Sequence, residues 1–241
     1  AYGESPDVKL PTVWKNKLTS GISLIGIENY EVPLVQFLFQ IKGGMLLENA
    51  SKIGVSNMLA ALMTKGTKNK TPEQLENAIE SLGATIRAYA TDEGIFISGN
   101  SLAKNYKATI DLVEEIILQP RWDLKEFDLI KQSTLSQIQQ QKADPNSIAR
   151  NEFKKLIYGK ESILSYNRTG DENSVKSIAI DDLKKYYNSN FSPSVSIFQI
   201  VGAVSKNEVT SSLATLNKNW TSKKVIFPAI NTEFKLNVFS S

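Results

Sequence analysis

The chain has 241 residues, of which 41% are hydrophobic and 22% charged, a composition typical of a globular protein that can bury a sizeable core. The 28 basic and 25 acidic residues leave a net charge of only +3, which does not indicate nucleic-acid binding. Histidine and cysteine are both absent, and this excludes Ser-His-Asp or Cys-His catalysis, disulfides, and metal sites built from imidazole or thiolate. No apolar run approaches the roughly 18 to 20 residues of a membrane span.

The first half of the chain is predicted to alternate strands with two helices. Residues 1–12, with two prolines, are expected to form an extended lead-in or linker. Alternating apolar residues and turn signals predict strands at Trp14–Leu18, Ile22–Glu28, Val35–Ile41, Thr85–Ala90 and Ile95–Leu102. One helix follows Gly54, with Gly66 expected as its left-handed C-cap. A second begins at Thr71-Pro72-Glu73-Gln74, a capping box with proline at the first helical position.

The second half is mainly helical. Apolar spacing predicts helices at 105–118, at 124–142 with Phe127, Leu129, Ile130, Leu135 and Ile138 on its apolar side, at 144–159 through Phe153, Leu156, Ile157 and Tyr158, at 181–190 and at 205–220, with a strand at Val195–Val201. This order favours an α+β fold in two layers, an antiparallel-rich sheet covered on one face by helices. Residues 13–222 are expected to form one subdomain. Residues 223–241 are expected to form a connector and a strand, Glu233–Phe239, that pairs back or opens a second subdomain.

The stretch Gly54–Thr67 predicts a helix with two different faces. One stripe at helical spacing is apolar and is expected to enter the core: Val55, Met58, Leu59, Leu62 and Met63. A second stripe is small and uncharged: Asn57, Ala60, Ala61 and Thr64. A face of this kind is typical of a helix that packs closely against a sheet.

At Gly54–Thr67, and again in the stretches 134–159 and 195–202, the chain resembles the M16 family of zinc metallopeptidases, the pitrilysin, insulinase and mitochondrial processing peptidase group. Active members carry His-x-x-Glu-His inside a frame G-x-x-H-x-x-E-H-x-x-x-x-G-T, and a glutamate on a later helix is the third zinc ligand. The frame is present as Gly54, Gly66 and Thr67. The resemblance covers most of the chain and implies the M16 (LuxS-like metallohydrolase) fold.

The resemblance also implies that the zinc site is lost. Asn57 and Ala61 stand where the two histidines would be, Ala60 replaces the glutamate base, and Gln137 replaces the third ligand. Neutral amides and alanines do not supply the roughly three anionic or imidazole donors that bind catalytic zinc, and none of these residues can take a proton from water. We therefore expect no catalytic residue, no metal ligand and no cofactor in this chain.

Members of this family are built as two similar halves that close around a peptide, and many have one half without the motif. The resemblance therefore implies a non-catalytic half, represented by its first subdomain, that forms a wall of the peptide chamber. The expected partners are a peptide substrate and a zinc-bearing M16 half, on the same polypeptide or a separate subunit, with zinc held in that partner. The alternatives are a structural scaffold, like the core subunits of the respiratory cytochrome bc1 complex that resemble this family, and a free-standing peptide-binding module.

Other candidates for function are fewer. Tyr186, Tyr187 and Phe191 could line a peptide-binding wall, although aromatic residues at helix ends more often belong to the core. Arg168, in the polar loop 160–174, is the one arginine in a turn that merits a test. The compartment stays open, and an exported or periplasmic bacterial protein is favoured over a cytoplasmic one.

Overall fold

Alternation between inward and outward side chains organises the strands of this protein, for which a computed structural model describes residues 11–229. Along the third strand, Val35, Phe37, Phe39 and Ile41 are buried and the residues between them are not. Six strands of the described range form one sheet: β1 (Val13–Lys17), β2 (Ser23–Glu28), β3 (Leu34–Lys42), β4 (Thr85–Ala90), β5 (Gly94–Leu102) and β6 (Ser196–Gly202). Their order is β1-β2-β6-β3-β5-β4, and every pair is antiparallel except β2 with β6.

The helices lie against one face of this sheet. In the described range they are α1 (Val55–Met63), α2 (Pro72–Ser81), α3 (Tyr106–Leu118), α4 (Leu124–Ala143), α5 (Pro145–Tyr158), α6 (Glu172–Ser177), α7 (Ile180–Asn190), α8 (Lys206–Ser212) and α9 (Ala214–Asn219). The covered face carries Phe39 and Phe198, whereas the opposite face carries the partly exposed Leu38 and Val201. The two-layer, antiparallel-rich α+β fold is thus confirmed. None of these helices combines the length and hydropathy needed to cross a membrane.

The two predicted helix ends near Gly66 and Thr71 had different outcomes. The capping box of α2 is confirmed, because the Thr71 hydroxyl accepts from the backbone N–H of Gln74 while the Gln74 side chain accepts from the N–H of Thr71. The predicted C-cap of α1 at Gly66 was wrong. The helix ends at Met63 with Thr64 as its cap, because the Thr64 hydroxyl donates to the carbonyl of Ala61 at 3.2 Å and closes the last turn early.

The predicted single helix over 205–220 was also wrong, since the structure divides it into α8 and α9 at Leu213. A contact from another helix explains the break. The buried carboxylate of Glu114, on α3, accepts the backbone N–H of Leu216 at 3.0 Å and so supplies the N-terminus of α9 with the partner it lacks locally. Burial raises the pKa of Glu114.

The apolar side chains predicted for α4 and α5 differ in burial. Phe127 and Ile138 of α4 are buried, but the prediction for Leu129 was wrong because it lies on the opposite side of the helix and is half exposed. In α5 no side chain is fully buried, and Phe153, Leu156, Ile157 and Tyr158 are all exposed.

Some of the predictions for the two ends of the chain fall on residues outside the described range. These predictions are most of the lead-in 1–12 and the strand Glu233–Phe239. Residues 223–228 contain no helix or strand, as expected of a connector. The backbone of Lys223 is attached to the subdomain through the hydroxyl of Ser192, which accepts its N–H at 3.0 Å. The proposed domain boundaries stay predictions.

Candidate functional site

The helix α1 occupies the centre of the helical layer. Its apolar stripe is buried as predicted: Val55, Met58, Leu59, Leu62 and Met63 are each at most 4% exposed. It contacts β4 and β5 of the sheet, and α4 and α7 beside it. The second stripe divides into two parts, because Ala60 is buried whereas Asn57, Ala61 and Thr64 are only partly buried. The face that would hold a metal in an active relative is therefore still partly accessible.

The frame residues around this face have packing roles of their own. Gly54, the N-cap of α1, has a φ of 113°, and a Cβ there would lie 3.0 Å from the carbonyl oxygen of Thr169. Gly66 has a φ of 94°, and its Cβ would lie 2.7 Å from the carbonyl oxygen of Lys70. Thr67 is fully buried and donates its hydroxyl to the Glu115 carboxylate at 2.5 Å. A side chain on Gly54 would therefore disturb the start of α1, and a side chain on Gly66 or the loss of Thr67 would disturb the loop between α1 and α2, whether or not a metal is bound.

The N-terminus of α1 is held by Glu48, a residue that no sequence pattern singled out. Its carboxylate accepts the backbone N–H groups of Gly54 at 2.8 Å and Ser56 at 2.6 Å, so it satisfies two of the donors that every helix N-terminus leaves unpaired. Burial nevertheless raises the pKa of Glu48 to about 7, against the opposing effect of these donors. The available signal was an acidic residue six positions before Gly54, a helix start with no side chain of its own to cap it.

The fourth position at which the family resemblance implies a lost zinc ligand lies on the neighbouring helix. Gln137 is on α4, which contacts α1, and its side chain is exposed. It lines a polar cleft of about 310 Å³ between α4, α5 and the loop that contains Arg168. Asn57, Ala60 and Ala61 are not among the residues that line this cleft. The structure therefore brings the two helices together but gives Gln137 different surroundings from the three positions on α1.

The donor set at these four positions does not fit a zinc ion. It offers two neutral amides, Asn57 and Gln137, while Ala60 and Ala61 have no donor atom. Over residues 11–229 there is also no group of three or more aspartate, glutamate, histidine or cysteine side chains that could hold a metal ion. The loss of the catalytic site is a prediction that rests on this chemistry and on the position of the frame.

Two of the aromatic candidates, Tyr186 and Phe191, belong to the core, and Tyr187 is partly buried and packs against it. Tyr186 is buried and donates its hydroxyl to the carbonyl of Gly44 at 2.7 Å, and Tyr187 donates to the carbonyl of Ile117 at the same distance. Phe191 is 1% exposed and packs against Tyr187 with ring centroids 4.8 Å apart. These three residues therefore stabilise the helical layer. Arg168, by contrast, is exposed in its loop as expected.

A second and larger cavity of about 660 Å³ lies on another side of α5. Its walls come from α4, α5 and the loop 160–171, and they include Ile138, Ile148 and Tyr166. It shares Gln141, Asn151 and Asn167 with the polar cleft.

The chain is similar in sequence to known proteins of one peptidase family. The sequence model of the family described as Insulinase (Peptidase family M16) matches residues 27–164, more than half of the chain. Among curated proteins, the chain is 22% identical to mitochondrial-processing peptidase subunit beta of Dictyostelium discoideum over 95% of this chain and 49% of that protein. It is also 22% identical to the uncharacterized zinc protease YmxG of Bacillus subtilis, over 77% of this chain and 45% of that protein. The chain thus spans about half the length of these relatives.

Solved structures share the fold at lower identity. A peptidase M16 inactive domain from Pseudomonas fluorescens superposes with a TM-score of 0.83 at 20% identity, over 89% of this chain and 52% of that one. The periplasmic protease PqqL from Escherichia coli superposes with a TM-score of 0.78 at 16% identity, over 90% of this chain and 25% of that one.

Proposed function

Because the chain belongs to the M16 (insulinase) peptidase family, we propose that it is the first subdomain of a non-catalytic half of an M16-type zinc peptidase. In this role it forms a wall of the chamber that encloses a peptide, and it docks a zinc-bearing half that performs hydrolysis. The observation that carries the proposal is α1. Its frame residues have packing roles, while its three chemical positions and the fourth, Gln137 on α4, hold no carboxylate and no imidazole.

The edge of the sheet beside α1 supports a peptide-binding role. β4 is the last strand in the sheet order, and in the described part of the chain no strand pairs with its outer edge. It is also the strand that α1 contacts most extensively. An extended peptide that added to this edge would run past the vacated positions, and its main-chain hydrogen bonds would provide affinity without any catalytic group. The same edge is the observation in favour of the alternative, a free-standing peptide-binding module.

The exposed apolar stripe on α5 supports docking of another half. Phe153, Leu156 and Ile157 recur at i, i+3 and i+4 and are between 48% and 76% exposed. Contiguous apolar side chains on a surface helix are typical of protein interfaces. Zinc is expected in that partner, and the similarity to a protease described as periplasmic favours an exported location for this chain.

Zinc content and peptide cleavage test the proposal directly. We expect the purified chain to hold substoichiometric zinc and to show no chelator-sensitive cleavage of peptides, alone or after zinc is added. A matched variant restores the four positions: Asn57→His, Ala60→Glu, Ala61→His and Gln137→Glu. If the frame is aligned as proposed, this variant binds about one zinc ion per chain.

Two results would overturn the proposal. Stoichiometric zinc with chelator-sensitive cleavage in the unmodified chain would make it an active peptidase. A restored variant that folds, as judged by circular dichroism, yet binds no zinc would contradict the assignment of these four positions to the family's zinc site. Co-purification separates the scaffold alternative, because a scaffold should be recovered with a membrane complex and a chamber wall with an M16 peptidase. Titration with unfolded peptides in the absence of any partner tests the free-standing module.

A further inference from the structure

The polar cleft beside Gln137 has an unusual concentration of arginine. The sequence contains 24 lysines but only four arginines, and two of the four, Arg150 and Arg168, line this one cleft. Arg150 belongs to α5 and Arg168 to the following loop, so two separate elements each bring an arginine to one cavity of about 310 Å³. Planar guanidinium groups bind carboxylates with two parallel hydrogen bonds, which lysine cannot do.

The charges within the cleft leave these arginines available. Its lining holds one carboxylate, Asp92, and this is paired with Lys154 at 3.2 Å. Among residues 11–229 neither Arg150 nor Arg168 has a carboxylate within ion-pair distance. The carboxylate of Asp144, near Arg150, is occupied by the hydroxyl and backbone N–H of Ser147 at 2.7 and 3.1 Å. The residues that line the cleft therefore carry a net formal charge of +2, and a further carboxylate, that of Asp144, lies close to Arg150 but outside ion-pair distance.

We infer that this cleft binds a carboxylate group of the enclosed peptide, either an acidic side chain or the C-terminal carboxylate, between Arg150, Arg168 and the amide of Gln137. The inference rests on the proposed function, since it names the class of peptide that the chamber wall selects. The location fits a peptide that adds to β4, because that strand ends at Ala90 and Asp92 already lines the cleft.

Gln137 contributes to this site through its amide. The glutamate that the family frame implies at this position would place a negative charge in the cleft and repel a second carboxylate. The glutamine removes that charge, and its N–H groups can donate to an anionic oxygen. Loss of the third ligand and gain of a carboxylate site are thus one change in chemistry.

Fluorescence anisotropy with short labelled peptides of one extended sequence tests the inference. The peptides carry either a central glutamate or a glutamine, and either a free or an amidated C-terminus. We expect the carboxylate-containing peptides to bind about five- to tenfold more tightly than the fully neutral one, with the difference reduced at high salt because the cleft is open to water. The peptide that retains tight binding shows whether the side chain or the C-terminus supplies the carboxylate.

Three variants locate the effect. Arg150→Gln and Arg168→Gln should each remove most of the preference, and Gln137→Glu should remove it without touching either arginine. Arg121→Gln is the matched control, because Arg121 pairs with Asp123 outside the cleft and its loss changes the net charge equally. Equal binding of acidic and neutral peptides, or a preference that survives all three variants, overturns the carboxylate site but leaves the proposed function intact. Failure of every peptide to bind at millimolar concentration overturns the carboxylate site and the free-standing module, whereas the proposed function is tested separately by zinc content and peptide cleavage.

Discussion

The helices α1 and α5 have similarly clear apolar patterns in the sequence and opposite surroundings in the structure. In α1 the apolar stripe is buried between the sheet and the neighbouring helices, and Leu59 has no exposed surface. In α5 the corresponding stripe faces outward, and Leu156 is 76% exposed. An apolar stripe therefore predicts a helix face that must be covered but does not identify what covers it. For α1 the cover lies within the subdomain, whereas for α5 we propose that it lies in a partner.

The largest expected effect is on the buried helix. Leu59→Ala removes a fully buried side chain from the centre of the core, so it should lower the free energy of unfolding by about 2–5 kcal/mol through lost burial and a residual cavity. The same substitution at Leu156 should change it by less than about 0.5 kcal/mol. Urea unfolding followed by circular dichroism measures both. Equal losses in the two variants would mean that α5 is covered by this chain itself.

The next largest expected effect concerns the acidic residues at the N-termini of α1 and α5. Burial raises the pKa of Glu48, at the start of α1, from its ordinary value of 4.5 to about 7. Between these values the folded chain therefore binds a proton that the unfolded chain has released. Glu48 stabilises the fold fully below pH 4.5, and this contribution of up to about 3 kcal/mol is lost as the pH rises through 7. Glu48→Gln does not titrate and has one acceptor oxygen in place of two, so it can keep the hydrogen bond from only one of Gly54 and Ser56. Between pH 4.5 and 7.5 the stability of this variant should therefore stay level, whereas that of the unmodified chain should fall.

Asp144, at the start of α5, provides the matched control. A hydrogen bond from the Ser147 side chain lowers the pKa of Asp144 below 3.8. It therefore stays ionised in both states between pH 4.5 and 7, and Asp144→Asn should leave the pH dependence in that window unchanged. Urea unfolding at a series of pH values compares the three proteins. Parallel curves for the Glu48→Gln variant and the unmodified chain would contradict the prediction.

Features defined by neighbouring residues could be predicted from the sequence. The capping box of α2 needs only Thr71 and Gln74, three positions apart, and the alternation in β3 reports its buried face directly. The family frame around α1 could also be recognised, and it led to the correct fold.

Features that depend on distant contacts could not be predicted. The break between α8 and α9 needs Glu114, about 100 positions away, and the capping of α1 by Glu48 depends on how the intervening loop folds back. The parallel pairing of β2 with β6 joins strands from opposite ends of the subdomain. The cleft at Gln137 likewise combines arginines from α5 and a later loop, so only the folded chain brings them to the vacated position. The four vacated positions stay predictions until zinc binding is measured.

The smallest expected effect on folding, and the sharpest test of the comparison, comes from Leu156→Glu. Glutamate is nearly as good a helix former as leucine, and the side chain is 76% exposed, so the free energy of unfolding should change by less than about 0.5 kcal/mol. If a zinc-bearing half covers α5, the same charge would be buried in an apolar interface and should weaken association by at least about tenfold. Ile226→Glu is the control, because Ile226 is also 76% exposed but lies in the connector after Lys223. Co-purification or sedimentation with the candidate half measures the difference, and equal association of both variants would show that α5 is not the docking surface.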